Sequence, residues 1–129
     1  MRALLDTSVV IDLTEIEDAV LPEELAISTI TLAELAAGPH ATDDLEERAR
    51  RQERLQWAET TFDQLPFDAS CARAFGRVYA AVAASGRSTR RRVVDLLIAA
   101  VALANDLPLV TRNADDFSAL HGLVEVVAV

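Results

Sequence analysis

The residues of this chain with the strongest chemical signal are carboxylates. Asp95 lies at the start of an almost wholly apolar stretch running from Val93 to Thr111, and Asp115 and Asp116 follow just past its end, before Phe117. Asp6 closes the short apolar run Ala3-Leu4-Leu5, and Glu34 lies in STITLAELAAG, behind the apolar run that begins at Leu25. A charge is costly within a core unless it is paired, hydrogen-bonded or metal-bound. Two carboxylates ~4 Å apart repel by roughly 4 kcal/mol at an effective dielectric of 20, a conflict that a divalent cation removes. Carboxylates without His or Cys beside them describe a hard oxygen-ligand site of the Mg²⁺ or Mn²⁺ type. The two histidines, His40 and His121, are remote in sequence from these acids, which argues against zinc. A metal held by a few carboxylates suits phosphodiester hydrolysis, where it activates a water and neutralises charge on the leaving oxygen.

The elements that must position these acids alternate between strand and helix. Ala3–Leu5 reads as a buried strand with Asp6 at its carboxyl end, and Thr7 or Ser8 can cap a short helix over Val9–Leu13. After the acidic turn Glu15–Asp18 and Pro22, Leu25–Ile30 reads as a second strand. Thr31-Leu32-Ala33-Glu34 has the capping-box pattern of a helix start, and that helix ends near Gly38-Pro39. An amphipathic helix is expected over Thr42–Phe62, an edge strand at Leu65-Pro66-Phe67, and a helix over Ala69–Ala84 capped by Asp68. The apolar Asp95 helix leads through Leu107-Pro108 to a strand at Leu109–Thr111, and a last strand is expected at Val124–Val127. The pattern predicts one domain, residues 1–129, of α/β class: a three-layer sandwich with a mainly parallel central sheet of about five strands flanked by helices. In such sheets ligands bind outside the carboxyl ends of the strands. Asp6, Glu34, Asp95 and the Asp115-Asp116 pair are therefore expected to converge there.

Each acid has a plainer explanation beside the chemical one. Glu34 suits the capping box opened by Thr31. Asp95 suits the first turn of a helix, where the dipole favours an acid. Asp6 has the least structural excuse, and the convergence weighs more than any one member. Composition narrows the field further. The net charge of −9 argues against nonspecific nucleic-acid binding through the whole surface. All 12 basic residues are Arg, which excludes P-loop, Schiff-base and other lysine-dependent chemistry. The single Cys71 cannot form an internal disulfide, and no run approaches the ~20 apolar residues of a membrane span. A cytoplasmic protein that does not enter the membrane is expected.

LLDTSVVIDL at the start, Glu34 in STITLAELAAG, Asp95 in VVDLLIAAVALANDLPLVTRNADDF and the ending Asn113-x-x-Asp116-Phe117 together resemble PIN-domain ribonucleases, specifically VapC-type toxins of bacterial toxin-antitoxin pairs. The resemblance runs in consistent order and spacing from Leu4 to Phe117. It implies an Mg²⁺- or Mn²⁺-dependent endoribonuclease, the toxin of a type II pair, usually a homodimer and neutralised by a small antitoxin encoded beside it. It carries the catalytic, metal-holding acids over to Asp6, Glu34, Asp95 and Asp116, with Thr7, Ser8, Thr111 and Asn113 as supporting polar groups. Ser8 stands where many such relatives have Asn. Asp115 is the adjacent alternative to Asp116, and the motif spacing selects Asp116.

Arg87, Arg90, Arg91 and Arg92 form a basic cluster just before Asp95 in an otherwise acidic chain, and such side chains bind phosphate backbones. They are candidates for RNA contact, as is Arg112, whose alternative is an ion pair at the edge of the core. Two readings from other classes stand beside the ribonuclease. One is a phosphatase or nucleotide hydrolase built on the same carboxylate-metal site, and the other a catalytically idle partner-binding module.

Overall fold

The computed structural model describes all of residues 1–129. Its centre is a sheet of five strands, β1 (Arg2–Leu5), β2 (Glu24–Ser28), β3 (Asp63–Leu65), β4 (Leu109–Thr111) and β5 (Val126–Ala128), in the order β3-β2-β1-β4-β5. Every pairing is parallel. Parallel strands need crossovers, and five helices supply most of them: α1 (Thr7–Ile11), α2 (Thr29–Ala37), α3 (Leu45–Thr61), α4 (Ala69–Ala84) and α5 (Val93–Ala104), with 3₁₀ segments between.

Alternating side chains divide the core into two layers. Leu4, Ala26 and Leu109 face α4, α5 and the 3₁₀ segment that carries Phe117 and Leu120. Ala3, Leu5, Ile27 and Val110 face the opposite layer, with Val9 and Val10 of α1, Leu35 of α2 and Ala58 of α3. The central strands are thus buried on both faces, which accounts for their unbroken apolar runs. α5 is apolar nearly all round for the same reason, with Leu96 and Ile98 to Ala102 all buried.

The chain builds β1, β2 and β3 in one direction and then returns to lay β4 on the other side of β1. The strand order therefore reverses between β1 and β4, and their carboxyl ends border a crevice. Asp6 stands at that crevice, its N–H bonded to the Val110 carbonyl at 2.8 Å. The entry to β4 is set by the end of α5. Leu107 N–H bonds to Ala102 O at 2.9 Å and Asp106 N–H to Leu103 O at 3.2 Å, with Asp106 in the left-handed region at φ 53°. This is a Schellman closure that stops the helix and turns the chain into Pro108 and β4.

Several boundaries differ from the sequence expectation. α2 begins at Thr29 and is capped by Ser28, whose Oγ accepts the Thr31 N–H, so β2 stops at Ser28 and Thr31 is not a cap. α1 is capped by Asp6, which accepts from the Thr7 N–H, so the acid does have a structural role. α3 starts at Leu45 on an Asp44 cap rather than at Thr42. β3 ends before Pro66 instead of spanning it, since proline offers no N–H to the ladder, and β5 lies two residues beyond the expected start at Val124. The expected Asp68 cap, the span of α4 and the span of β4 are all observed.

Candidate active site

Asp6 is the most tightly held acid. It is 5% exposed, and four groups fix it. Its backbone is tied to β4. Its Oδ1 takes the Thr7 N–H at 2.9 Å, and its Oδ2 takes the hydroxyls of Ser8 and Thr111, each at 2.8 Å. Thr111 is fully buried at the end of β4, so the adjacent strands of the crevice lock one carboxylate between them. Ser8 and Thr111 are placed in turn, accepting the N–H groups of Arg112 and Asn113 at 3.2 and 3.0 Å. Each hydroxyl therefore keeps its hydrogen for Asp6.

Glu34 belongs to this centre and not to a capping box. Thr7 Oγ1 donates to Glu34 Oε1 at 2.5 Å, so neighbouring residues Asp6 and Thr7 anchor the site and Glu34 to one another. Asp95, half-buried in the first turn of α5, is pushed up to about 6 from the ordinary 3.8. Burial is the largest cause, followed by the negative charges of Asp6, Asp116 and Glu34, while Arg92 opposes the rise. All four expected acids thus act on one electrostatic neighbourhood. Asp116 is half-exposed and its Oδ1 meets Arg92 at 3.1 Å. Asp115, its neighbour, is exposed, and only its backbone carbonyl is engaged, by Arg87. Phe117, buried beside them, pins this 3₁₀ segment to the core.

The acids ring a gap rather than closing on a point, for no three of them stand close enough to form a ready-made metal cage. The expectation of four carboxylates meeting at one spot is corrected to that extent. Like charges spread apart when each has a local partner, and here Asp116 turns to Arg92 while Glu34 turns to Thr7. The donor set still fits a hard ion. It is all oxygen, and Mg²⁺ keeps several waters while binding through only one or two carboxylates. Asp95, with no hydrogen-bond donor and with its charged form disfavoured by burial and by the neighbouring acids, is the group a cation would relieve most.

The basic residues divide. Arg87, Ser88, Arg91, Arg92, Asp95 and Asp116 line a hollow of about 390 Å³. Within it Arg87 is tethered to Asp115 O and to Ser118 Oγ at 3.1 Å, and Arg92 is paired with Asp116. Arg91 forms no ion pair there, and exposed Arg90 stands outside the lining. Arg112 takes its ion-pair alternative, meeting Asp12 at 3.4 Å and Glu15 at 3.2 Å, and so is not a free phosphate contact. Asn113 is exposed and its side chain reaches none of the acids, whereas its backbone bonds to Thr111 and Asp116.

Sequence reasoning missed two things. Thr7, Glu34, Arg51 and Arg54 help line a second hollow, of about 300 Å³, on the Glu34 side. Behind Thr7 lie the fully buried hydroxyls of Thr31 and Ser28, and two hydroxyl residues bracketing a strand-to-helix junction were the available signal. The largest hollow, about 750 Å³ between the Phe117 segment and β5, holds only His121 and Glu125 as titratable groups and lies apart from the acids.

Comparison with known proteins bears on the family and the fold. The PIN domain family matches residues 3–123. Ribonuclease VapC5 of Mycobacterium tuberculosis is 39% identical over 126 residues, 95% of this chain and 90% of that protein. Ribonuclease VapC8 of the same species is 38% identical over 101 residues, 77% of this chain and 88% of that protein. The crystal structure of VapBC-5 from Mycobacterium tuberculosis, a member of the VapBC family of toxin-antitoxin systems, superposes with a TM-score of 0.86 at 39% identity, covering 99% of this chain and 98% of that one.

Proposed function

This chain belongs to the PIN-domain family, and from that premise we propose that it is a VapC-type endoribonuclease, the toxin of a type II toxin-antitoxin pair. The observation that carries the reading is the crevice between β1 and β4. There Asp6 is fixed in place, and burial together with the charges of Asp6, Asp116 and Glu34 raises the Asp95 carboxyl to about 6. A bound Mg²⁺ or Mn²⁺ supplies an activated water and neutralises charge on the scissile phosphate. Asp6 and Asp95 would hold it, with Glu34 and Asp116 as the further acids at its edge. Ser8, Thr111 and the Thr7 N–H hold Asp6 in one orientation, so no rotamer freedom is lost when a cation arrives. Arg91, with Arg87 behind it, offers a cationic wall to the RNA backbone next to Asp95 and Asp116.

The natural partner is a cationic antitoxin segment that places a basic side chain among the acids, which the net charge of −9 favours. The exposed Tyr79, Val93 and Val94 on α4 and α5 suit burial against a second copy of the chain. The site of action is the cytoplasm, and no helix is long and apolar enough to cross a membrane. Incubating the pure protein with structured RNAs and, separately, with free nucleotides and phosphomonoesters, in Mn²⁺ or chelator, tests the proposal. Metal-dependent cuts confined to RNA are expected. Turnover of nucleotides alone would replace it with the hydrolase reading, and no turnover of either would replace it with the idle binding module.

A further inference from the structure

Behind Glu34 runs a chain of hydroxyls whose hydrogen directions have a single solution. Thr7 Oγ1 has one hydrogen and donates it to Glu34 Oε1. Its 2.9 Å contact with Thr31 Oγ1 can then be satisfied only if Thr31 donates. Thr31, its hydrogen spent, can only accept from Ser28, whose Oγ donates to it at 3.4 Å while accepting the Thr31 N–H at 3.1 Å. Ser28 and Thr31 are fully buried and Thr7 is nearly so. The row therefore runs one way, Ser28 to Thr31 to Thr7 to Glu34, each donor polarised by the next. Glu34 Oε2 takes no protein hydrogen bond, so the row fixes one carboxylate oxygen and leaves its twin free to accept from elsewhere.

We propose that Thr31 is a positioning residue: through Thr7 it holds Glu34 in the orientation that serves the metal centre. The proposal rests on the metal-nuclease reading above. A cap alone needs none of this. Helix α2 is capped by the bond from the Thr31 N–H to Ser28 Oγ, which any residue but proline could make at 31. The Thr31 hydroxyl contributes nothing to that cap, and its hydrogen goes instead to a residue 24 positions earlier, beside Asp6. Without it, Thr7 Oγ1 is free to turn its hydrogen elsewhere, and Glu34 loses the contact that immobilises it.

The test is Thr31→Val, of nearly the same volume, with Thr31→Ser as rescue. Mn²⁺ affinity is measured by titration calorimetry on chelator-stripped, dialysed protein. Second-sphere changes of this kind weaken metal binding by about tenfold or more. Thr31→Val is expected to bind Mn²⁺ about tenfold more weakly, and Thr31→Ser to return close to wild type. In a Glu34→Gln background Thr31→Val should change Mn²⁺ affinity no further, because its path to the metal is already cut. Should Thr31→Val fail to fold, Thr31→Cys, whose thiol is a poor donor, carries the test and must bind Mn²⁺ more weakly than Thr31→Ser. Equal affinity in wild type and variant, or an effect that persists in full beside Glu34→Gln, would overturn the proposal. Absence of Mn²⁺ binding by the wild type would instead overturn the metal-nuclease reading, and the role of Thr31 with it.

Discussion

Replacing Asp95 by Asn should make the metal-free protein more stable while destroying its affinity for metal. Asp95 is raised from 3.8 to about 6 by burial and by three neighbouring carboxylates. A full gap of that size corresponds to about 3 kcal/mol of unfavourable interaction in the charged form. The residue is half-exposed, so solvent screening reduces this to about 1.5 kcal/mol. Asn also gives up the attraction of an acid to the first turn of α5, about 0.5 kcal/mol in the opposite direction. The net gain at pH 7.5 in chelator is about 1 kcal/mol, or about 3 °C in Tm. Between pH 3.8 and about 6 the folded state holds the Asp95 proton more firmly than the unfolded chain does, so wild-type stability falls as pH rises through that window. The advantage of the variant must therefore vanish near pH 4 and be complete above pH 7. Added Mn²⁺ reverses the order, since at one hundred times the dissociation constant it stabilises the wild type by about 2.7 kcal/mol. Urea unfolding of both proteins across pH, with chelator and with Mn²⁺, reads all three outcomes. A variant less stable than wild type in chelator at pH 7.5, or a difference that does not change with pH, would refute the electrostatic account.

Asp6→Asn should abolish RNA cleavage yet leave the far-ultraviolet circular dichroism unchanged, because Asn caps helices as well as Asp and can still accept the Thr7 N–H. Asp116→Ala should reduce activity far more than Asp115→Ala, in initial rates on one RNA, since only Asp116 lines the hollow with Asp95; equal losses would mean that both acids serve the site. Arg91→Gln should weaken RNA binding by the inactive Asp6→Asn protein and flatten its logarithmic salt dependence by about one, whereas Arg112→Gln, already paired with Asp12 and Glu15, should leave that slope unchanged.

The sandwich was legible because strands buried on both faces carry their own signature. Leu4, Leu109 and Val110 are apolar in unbroken runs, and Asp68 announced α4 unambiguously. The junction after β2 was not. Ile27, Ser28, Thr29 and Ile30 have the composition of a strand, and both Ser28 and Thr31 can cap a helix, so local propensity alone does not decide where the strand stops. The decision is tertiary: the Thr31 hydroxyl is claimed by Thr7, which leaves Ser28 as the cap. β3 slipped for a related reason, since its register is set by Ala26, Ile27 and Ser28 of its neighbour and not by its own apolar residues. The acids of the site were visible as misplaced charges, and Thr7, Ser8 and Thr111 came with the motifs around them. Ser28 and Thr31 behind Thr7 did not, because a buried Thr and an exposed one look alike until the contacts are drawn.

The bond from Thr111 to Asp6 joins residues 105 positions apart, and β4 slots in beside the very first strand. During synthesis Asp6 is made about a hundred residues before Thr111 and Asp116. Until they emerge, the edge of β1 has no β4, Asp6 has no Thr111, and the crevice has one wall. A site wired in this way is complete only once the β4 segment has joined β1. Any message broken upstream of β4 yields a chain that lacks Thr111 and Asp116 and so has no assembled site.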